Sequence, residues 1–509
     1  METLTKLCNP LTITIIILLI TTLLITTLLK LVRSTKSTPL PLPPSPPHNL
    51  PIVGHLPYIL TQPMPHYTFT KLAQTLGPIF RLQLGRVNTV VVSSAHYAQL
   101  ILKANDHVFS DRPQLLAARI LSFGCSDVTF SSYGPYWRQA RKICVNELLS
   151  ARRVAAFHRV RVDEVNRLVE NLISRSGTEV NLSEKLFELS NDVLCRVAFG
   201  RRFSEGEGSR SDLVGVLTET QALLAGFCAG DFFPGWEWVN VVSGMKRRLL
   251  KNLEELRKVC DEIIAEHLNS GSGYGDEDFV DVLIRVQKRE DLQVEITDDN
   301  LKALVLDMFV AGTDTTAATL EWIMTELVRH PAVLTRAQEE VRGVVSTGEQ
   351  VSINHLQTLD YMKCIIKETM RLHPPAPLLV PRESMEDCTL DGYFIPKKTR
   401  ILINAYAIGR NLESWTNPLE FDPCRFLDTN VEVKDQDFRF LPFGGGRRGC
   451  PGYAFGLATV ELALANLLYH FSWTLPNNVS IDAVDLDEIF GLATRKKNPL
   501  ILVPTPNRQ

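Results

Sequence analysis

The stretch Phe443-Gly444-Gly445-Gly446-Arg447-Arg448-Gly449-Cys450-Pro451-Gly452 constrains this chain more than any other. It sets one cysteine in a glycine-dense turn, just ahead of a helix-like run from Ala454 to Phe471. Glycines let backbone N–H groups turn inward and approach a ligand with no Cβ in the way. A helix start adds partial positive charge and unpaired donors, and both features favour a thiolate over a thiol at Cys450. The two arginines are forks suited to carboxylates. Gly444, Gly446 and Gly449 also fit G-x-G-x-x-G, the dinucleotide fingerprint. Pro442 interrupts its approach, however, and Leu468-Tyr469-His470 stands where it needs an acid, so that reading is rejected.

A lone thiolate beside carboxylate binders, with no second Cys or His ligand, points to haem held by one axial sulfur. The pattern Phe-x-x-Gly-x-Arg-x-Cys-x-Gly, filled by Phe443, Gly446, Arg448, Cys450 and Gly452, resembles the haem-binding signature of the cytochrome P-450 family. The resemblance implies haem b as cofactor, Phe443, Gly446 and Arg448 as cofactor-binding residues, and Cys450 as the axial ligand of its iron. Such a thiolate pushes electron density onto the metal and favours O–O cleavage.

Bulk properties exclude several alternatives. A net charge of −3 gives no support to nucleic-acid binding. The ten cysteines include no C-x-x-C pair, which argues against zinc or a disulfide framework and fits a reducing compartment. Apolar content of 45% and charged content of 22% are those of a globular protein, and no internal linker divides the body, so one large catalytic unit is expected despite 509 residues.

Residues Leu11 to Leu29 contain only Leu, Ile and Thr, long enough at about 1.5 Å per residue to cross a bilayer core. Glu2 and Lys6 precede them, whereas Lys30, Arg33 and Lys36 follow, which keeps the downstream side cytosolic. The expected domains are therefore an N-terminal transmembrane anchor over 1–30, a basic and proline-rich hinge over 31–60 and a haem-thiolate catalytic domain over 61–509. The hinge carries Pro39-Leu40-Pro41-Leu42-Pro43-Pro44-Ser45-Pro46-Pro47, a stiff extended spacer. Strand-like runs at Ile79–Leu84 and Thr89–Ser93 flank a turn at Gly85. Mostly helical sequence follows from Ala95 to Arg371, with a surface loop at Ser270–Asp276, and strands return at Cys388–Ile395 and Arg400–Ala405. The fold class is mainly α with small β-sheets.

The run Ile296 to His330 reads as the best helix, capped by Thr297-Asp298-Asp299 and stopped by Pro331. Its middle, Leu304 to Ala318, is apolar on nearly all sides, which implies burial through the centre of the body. Ala311-Gly312-Thr313-Asp314-Thr315-Thr316 interrupts it, with a costly carboxylate and threonines able to bond back to carbonyls one turn earlier. The resemblance makes Thr315 and Asp314 the catalytic pair on the distal face, Thr315 hydrogen-bonding the oxygen and Asp314 feeding protons toward it. Glu368 and Arg371 share a helix face. By resemblance they form a structural brace with Arg425 of Pro423-Cys424-Arg425-Phe426, where many relatives carry Glu in place of Cys424. Trp137-Arg138-Gln139-Ala140-Arg141 resembles the family's Trp-x-x-x-Arg, so Trp137 and Arg141 are assigned to the haem propionates with Arg448, and Arg382 is a fourth candidate.

Nothing in the sequence forms a flavin or nicotinamide site. The resemblance implies electrons from NADPH through a membrane-bound NADPH–cytochrome P-450 reductase, with O2 and a small hydrophobic substrate as further partners and membrane lipid around the anchor. The implied location is the endoplasmic-reticulum membrane, single-pass, with the catalytic domain facing the cytosol. Family alignment puts substrate contacts in Leu115–Phe130, Gln221–Phe227, Leu304–Thr315, Pro377–Val380 and Phe490–Ala493, all largely apolar. The activity expected by analogy is monooxygenation of a plant terpenoid, alkaloid or phenolic. Two other readings stand beside it. One is a non-oxidative haem-thiolate isomerase or dehydratase of the same fold, against which Asp314-Thr315 argues. The other is a haem-free anchored helical binding protein.

Overall fold

Thr297 starts the longest helix among the described residues. Its hydroxyl accepts from the Asn300 N–H at 3.2 Å while Asn300 Oδ1 accepts from the Thr297 N–H at 2.9 Å, a reciprocal cap that satisfies two end donors. The computed structural model describes residues 21–22 and 40–507, apart from 62–63, 203–210, 226–227, 237, 271–276, 347, 428, 430, 434–436 and 478. The helices that position the site are α1 (Pro65–Leu76), α2 (Leu116–Leu121), α3 (Pro135–Ile143), α4 (Leu182–Phe199), α5 (Asp298–Arg329), α6 (Asp360–Leu372) and α7 (Tyr453–His470). The sequence places α5 and α7 within two residues of their observed ends, because Thr297, Pro331 and Gly452 mark those ends locally.

The strands are β1 (Ile79–Leu84), β2 (Val87–Val92), β3 (Val180–Asn181), β4 (Arg382–Glu383), β5 (Cys388–Leu390), β6 (Tyr393–Ile395), β7 (Arg400–Ile403), β8 (Phe471–Thr474), β9 (Glu488–Ile489), β10 (Arg495–Lys496) and β11 (Ile501–Pro506). They form a four-stranded sheet in the order β1-β2-β7-β4, a three-stranded sheet β3-β11-β8 and the hairpins β5-β6 and β9-β10. Gly85, at φ +59, closes the β1–β2 turn, and a Cβ there would lie 2.4 Å from the Phe232 carbonyl. The run Cys388–Ile395 is two strands rather than one, because Asp391 and Gly392 both take positive φ and fold it into a hairpin. Strand β3 interrupts the helical region only as the short partner of β11.

The main core joins α4, α5, α6 and α7 through residues such as Leu194, Leu320, Ile323, Ile365, Leu464 and Leu468, all nearly or fully buried. Each such side chain stabilises the fold by about 1.5–3 kcal/mol relative to exposure. Among the described residues no helix is long and apolar enough to cross a membrane. The anchor expected over Leu11–Leu29 lies outside them except for Thr21 and Thr22, which are helical. The basic part of the hinge also lies outside. Its prolines are held against the strands: the Arg81 N–H donates to Pro44 O at 2.7 Å and the Phe394 N–H to Pro41 O at 2.9 Å. Of the expected surface loop, Ser270 ends a helix running from Met245, and 271–276 lie outside the described residues.

Candidate active site

The Cys450 loop is built by backbone geometry. Gly444 and Gly446 take φ of +67 and +65, the left-handed region that glycine enters freely. A Cβ on Gly446 would stand 2.3 Å from the Leu102 carbonyl oxygen, so only glycine fits. The Cys450 N–H donates to Phe443 O at 2.9 Å, and backbone N–H groups of Gly452 and Tyr453 lie toward its sulfur. The thiol is surrounded by protein, yet part of its surface stays accessible. Burial pushes its pKa up, and the loop donors and Arg141 do not offset this. The loop donors and Arg141 act toward the thiolate, as the sequence implies, while burial acts against it. Desolvation outweighs the loop, and a directly bound metal is what deprotonates a thiol in such a place.

Helix α5 runs unbroken past Gly312 and is buried almost throughout from Leu301 to Val328. The exceptions are Ala311, exposed, and Gly312 and Thr315, half-buried, so at this level one side of the helix meets accessible space. Thr315 Oγ1 donates to Ala311 O at 2.8 Å, the back-bond expected for a mid-helix threonine. Asp314 points away from that space. Its carboxyl is buried, its Oδ1 accepts no hydrogen bond, and Arg495 of β10 stands 3.5 Å from it. Burial raises its pKa, and Arg495 only partly offsets this. Helix α7, three residues after Cys450, lies against the same turn: a Cβ on Gly456 would be 3.9 Å from Thr316 Oγ1.

Four guanidinium groups converge beside the loop. Arg448 donates from Nε to Ser110 O at 2.8 Å, from Nη2 to Ser131 O at 2.6 Å and from Nη1 to Val128 O at 3.2 Å. Trp137 donates through Nε1 to that same Val128 carbonyl at 3.0 Å, and the Arg448 guanidinium lies 4.2 Å over its ring. Arg141 donates to Gly449 O at 2.5 Å. Arg382 donates to Asp106 Oδ1 at 3.0 Å and Gly445 O at 2.7 Å. The hydrogen-bond partners of these residues are backbone carbonyls and Asp106. Burial, with Arg382 beside it, pulls the Arg448 guanidinium down to about 9. Arg112 is lowered further by burial, with Arg448 and Arg382 next. Mutually repelling buried cations favour an anionic group between them, and a glycine cradle and accessible sulfur lie alongside. The residues fit haem and its two propionates.

The brace is complete. Glu368 accepts from Arg371 at 2.7 and 2.8 Å, from Arg425 Nε at 2.9 Å and from the Asp422 N–H at 2.8 Å, with both Glu368 and Arg371 side chains at 0% exposure. Cys424, in place of the commoner glutamate, points outward to Arg336 at 3.2 Å and leaves Arg425 untouched.

Three of the five expected substrate segments meet in one apolar cluster, where Ala118, Cys125 and Phe130 pack with Leu115, Leu224 and Val380. Phe490–Ala493 reaches α5 through Ala493, against Ala318 and Trp322. Phe227 lies outside the described residues. Sequence reasoning missed Asp106, Arg112, Asp127 and Asp307. Asp307 contradicts the reading of Leu304–Ala318 as apolar nearly all round. Its buried carboxyl accepts from Val128 N at 3.0 Å, Thr129 N at 3.2 Å and Thr129 Oγ1 at 2.5 Å, which offsets the desolvation. Burial still raises both Asp307 and its neighbour Asp127. A lone acid in an otherwise apolar turn was the available signal.

The Cytochrome P-450 family profile matches residues 43–503. The chain is 56% identical to a tryptamine 5-hydroxylase of Oryza sativa subsp. japonica over 482 residues, covering 92% of this chain and 91% of that protein. It is 45% identical to a costunolide synthase of Cichorium intybus (91% and 92% covered) and 43% identical to a desmethyl-deoxy-podophyllotoxin synthase of Sinopodophyllum hexandrum (91% and 92%). Among solved structures, a zebra fish cytochrome P-450 with abiraterone superposes with a TM-score of 0.76 at 25% identity, covering 88% of this chain and all of that one. The cysteine loop, the distal acid–threonine turn and these matches agree: the chain belongs to the cytochrome P-450 family, a monooxygenase whose cofactor is haem b, supplied with NADPH electrons through a reductase.

Proposed function

We propose that this protein is a membrane-anchored monooxygenase of the endoplasmic reticulum, its catalytic domain in the cytosol, that inserts one oxygen atom into a small hydrophobic plant specialised metabolite. The observation that carries this reading is the juxtaposition of the Cys450 loop and its helix with the Ala311–Thr316 turn of α5. The names of the relatives, which span an amine hydroxylase and two synthases, support the substrate class. The partner is a membrane-bound NADPH–cytochrome P-450 reductase, and the apolar run Leu11–Leu29 holds both in one bilayer. The domain division proposed with it is an anchor over 1–30, a hinge over 31–60 and a catalytic body over 61–509.

Haem, when bound, would be held by the Cys450 sulfur and would supply the activation of O2. Arg141, Arg448, Trp137 and Arg382 would hold its carboxylate groups, exchanging some of their carbonyl contacts for them. The Phe443 carbonyl pins the Cys450 N–H, and Gly446, with no Cβ, would let the loop approach the group. Asp314, whose pKa burial raises, delivers a proton from its carboxyl oxygen once it turns from Arg495, and Thr315 Oγ1 passes it on by letting go of the Ala311 carbonyl. The apolar cluster around Phe130 and Val380 excludes water and orients the substrate. Per turnover two electrons and two protons are consumed, one oxygen atom enters the substrate and the other leaves as water. The test is turnover of tryptamine, a terpenoid and a phenolic by purified protein with reductase and NADPH under labelled dioxygen, expecting one labelled oxygen per product. Cys450→Ala removes the thiolate signature from the carbon monoxide difference spectrum; its survival would overturn the ligand assignment.

A further inference from the structure

The hairpin β9–β10 is tied at both ends to buried groups that the mechanism above leaves unused. At one end the Glu488 carboxylate, 4% exposed, meets His66 Nε2 of α1 at 2.9 Å, and the His66 side chain is fully buried. Burial alone would raise Glu488, but the His66 contact reverses the effect and the carboxyl is lowered. Tyr67, next on α1, is held protonated by burial and by the same carboxylate. At the other end Trp322 Nε1 of α5 donates to Thr494 O at 3.1 Å, and the Lys496 N–H donates to Glu321 Oε2 at 3.2 Å. Between the ends sit Ala493, packed on Ala318 and Trp322, and Arg495, the cation that stands on Asp314.

This geometry links a helix at the start of the body to the proton-carrying carboxyl of α5. Strands of two residues cannot hold a hairpin by themselves. A buried carboxylate with a hydrogen-bonded partner is strongly directional, because breaking the contact leaves an uncompensated charge. We propose that the hairpin is a strap locked by the buried His66–Glu488 pair, and that His66 and Glu488 are positioning residues which keep Arg495 on Asp314 and the turn Phe490–Ala493 on the distal side. This rests on the monooxygenase reading. Arg495 is the cation that acts on Asp314, and it also faces Glu321, one of the two strap contacts on α5. Loosening the strap would therefore detach the partner of Asp314 and shift the substrate-facing turn together.

Hydrogen–deuterium exchange of the haem-loaded protein tests this directly. Glu488→Gln is expected to speed exchange over residues 488–497 by at least about tenfold and leave α6 and α7 unchanged. With reductase, NADPH and tryptamine as probe, the share of electrons leaving as hydrogen peroxide rises in the same variant. His66→Gln repeats both effects, and Tyr67→Phe gives a milder version should either charged-pair variant fail to fold. Unchanged local exchange, exchange that speeds evenly along the chain, or a loosened hairpin with the peroxide share unaltered would each overturn the strap. A protein without the thiolate spectrum would instead overturn the functional reading beneath it.

Discussion

Glu368→Gln probes whether the brace is worth what its geometry implies. The substitution keeps the side-chain shape but removes the charge between two guanidinium groups and turns one acceptor into a donor. Glu368 makes four contacts between 2.7 and 2.9 Å, and neither it nor Arg371 has exposed surface. Removing one partner of a buried pair costs about 3–5 kcal/mol, whereas an exposed pair contributes about 0–1 kcal/mol. Whole domains are stable by only about 5–15 kcal/mol, so the first figure is a large fraction of the total. At about 2.1 cal/mol/K of unfolding entropy per residue, the loss lowers the melting temperature by roughly 3–5 °C, against less than about 1 °C for a surface pair. Tryptophan fluorescence during a thermal ramp reads this out, because the Arg371 guanidinium lies 5.5 Å from the Trp415 ring. Haem absorbance in the same ramp shows whether the Cys450 loop goes with it. A variant that melts within about 1 °C of the parent with its haem retained would refute the assignment of a buried structural brace.

Two further predictions concern the loop and pH. Gly446→Ala places a Cβ against the Leu102 carbonyl and strains a left-handed residue, so haem content of the purified protein falls sharply, while Gly452→Ala, with its nearest neighbour at 3.9 Å, loads normally. Equal loading of the two would remove the cradle argument. The hydrogen bond to Asp278 raises His267 to about 9 against 6.5 unfolded, so its contribution is fully present below pH 6.5 and is lost as pH rises through 9. His267→Gln should flatten that part of the stability–pH curve, and an unaltered curve would exclude the pair as its source.

How much was legible depended on where each residue's partner lies. The Cys450 loop, the α5 cap and the Glu368–Arg371 face are local patterns, and each forms as read. Arg425 needed the family resemblance, since nothing at position 368 announces a partner 57 residues on. Asp307, Asp106 and Glu488 were invisible because their partners are 178, 276 and 422 residues away, and pairings of that kind leave no period in a sequence. At Cys450 the donors could be read from the turn, whereas the depth of burial that opposes them could not. The boundary of Cys388–Ile395 failed on a turn, where Asp391-Gly392 was the signal and alternation masked it.

The Val128 carbonyl receives both the Trp137 indole and Arg448, while its own N–H answers to Asp307 on the opposite side. A segment expected to choose the substrate is therefore also a rivet in the cofactor's housing. Substitutions within residues 115–130 thus act through what projects from the segment, while the Val128 backbone, tied through both its N–H and its carbonyl, stays where it is.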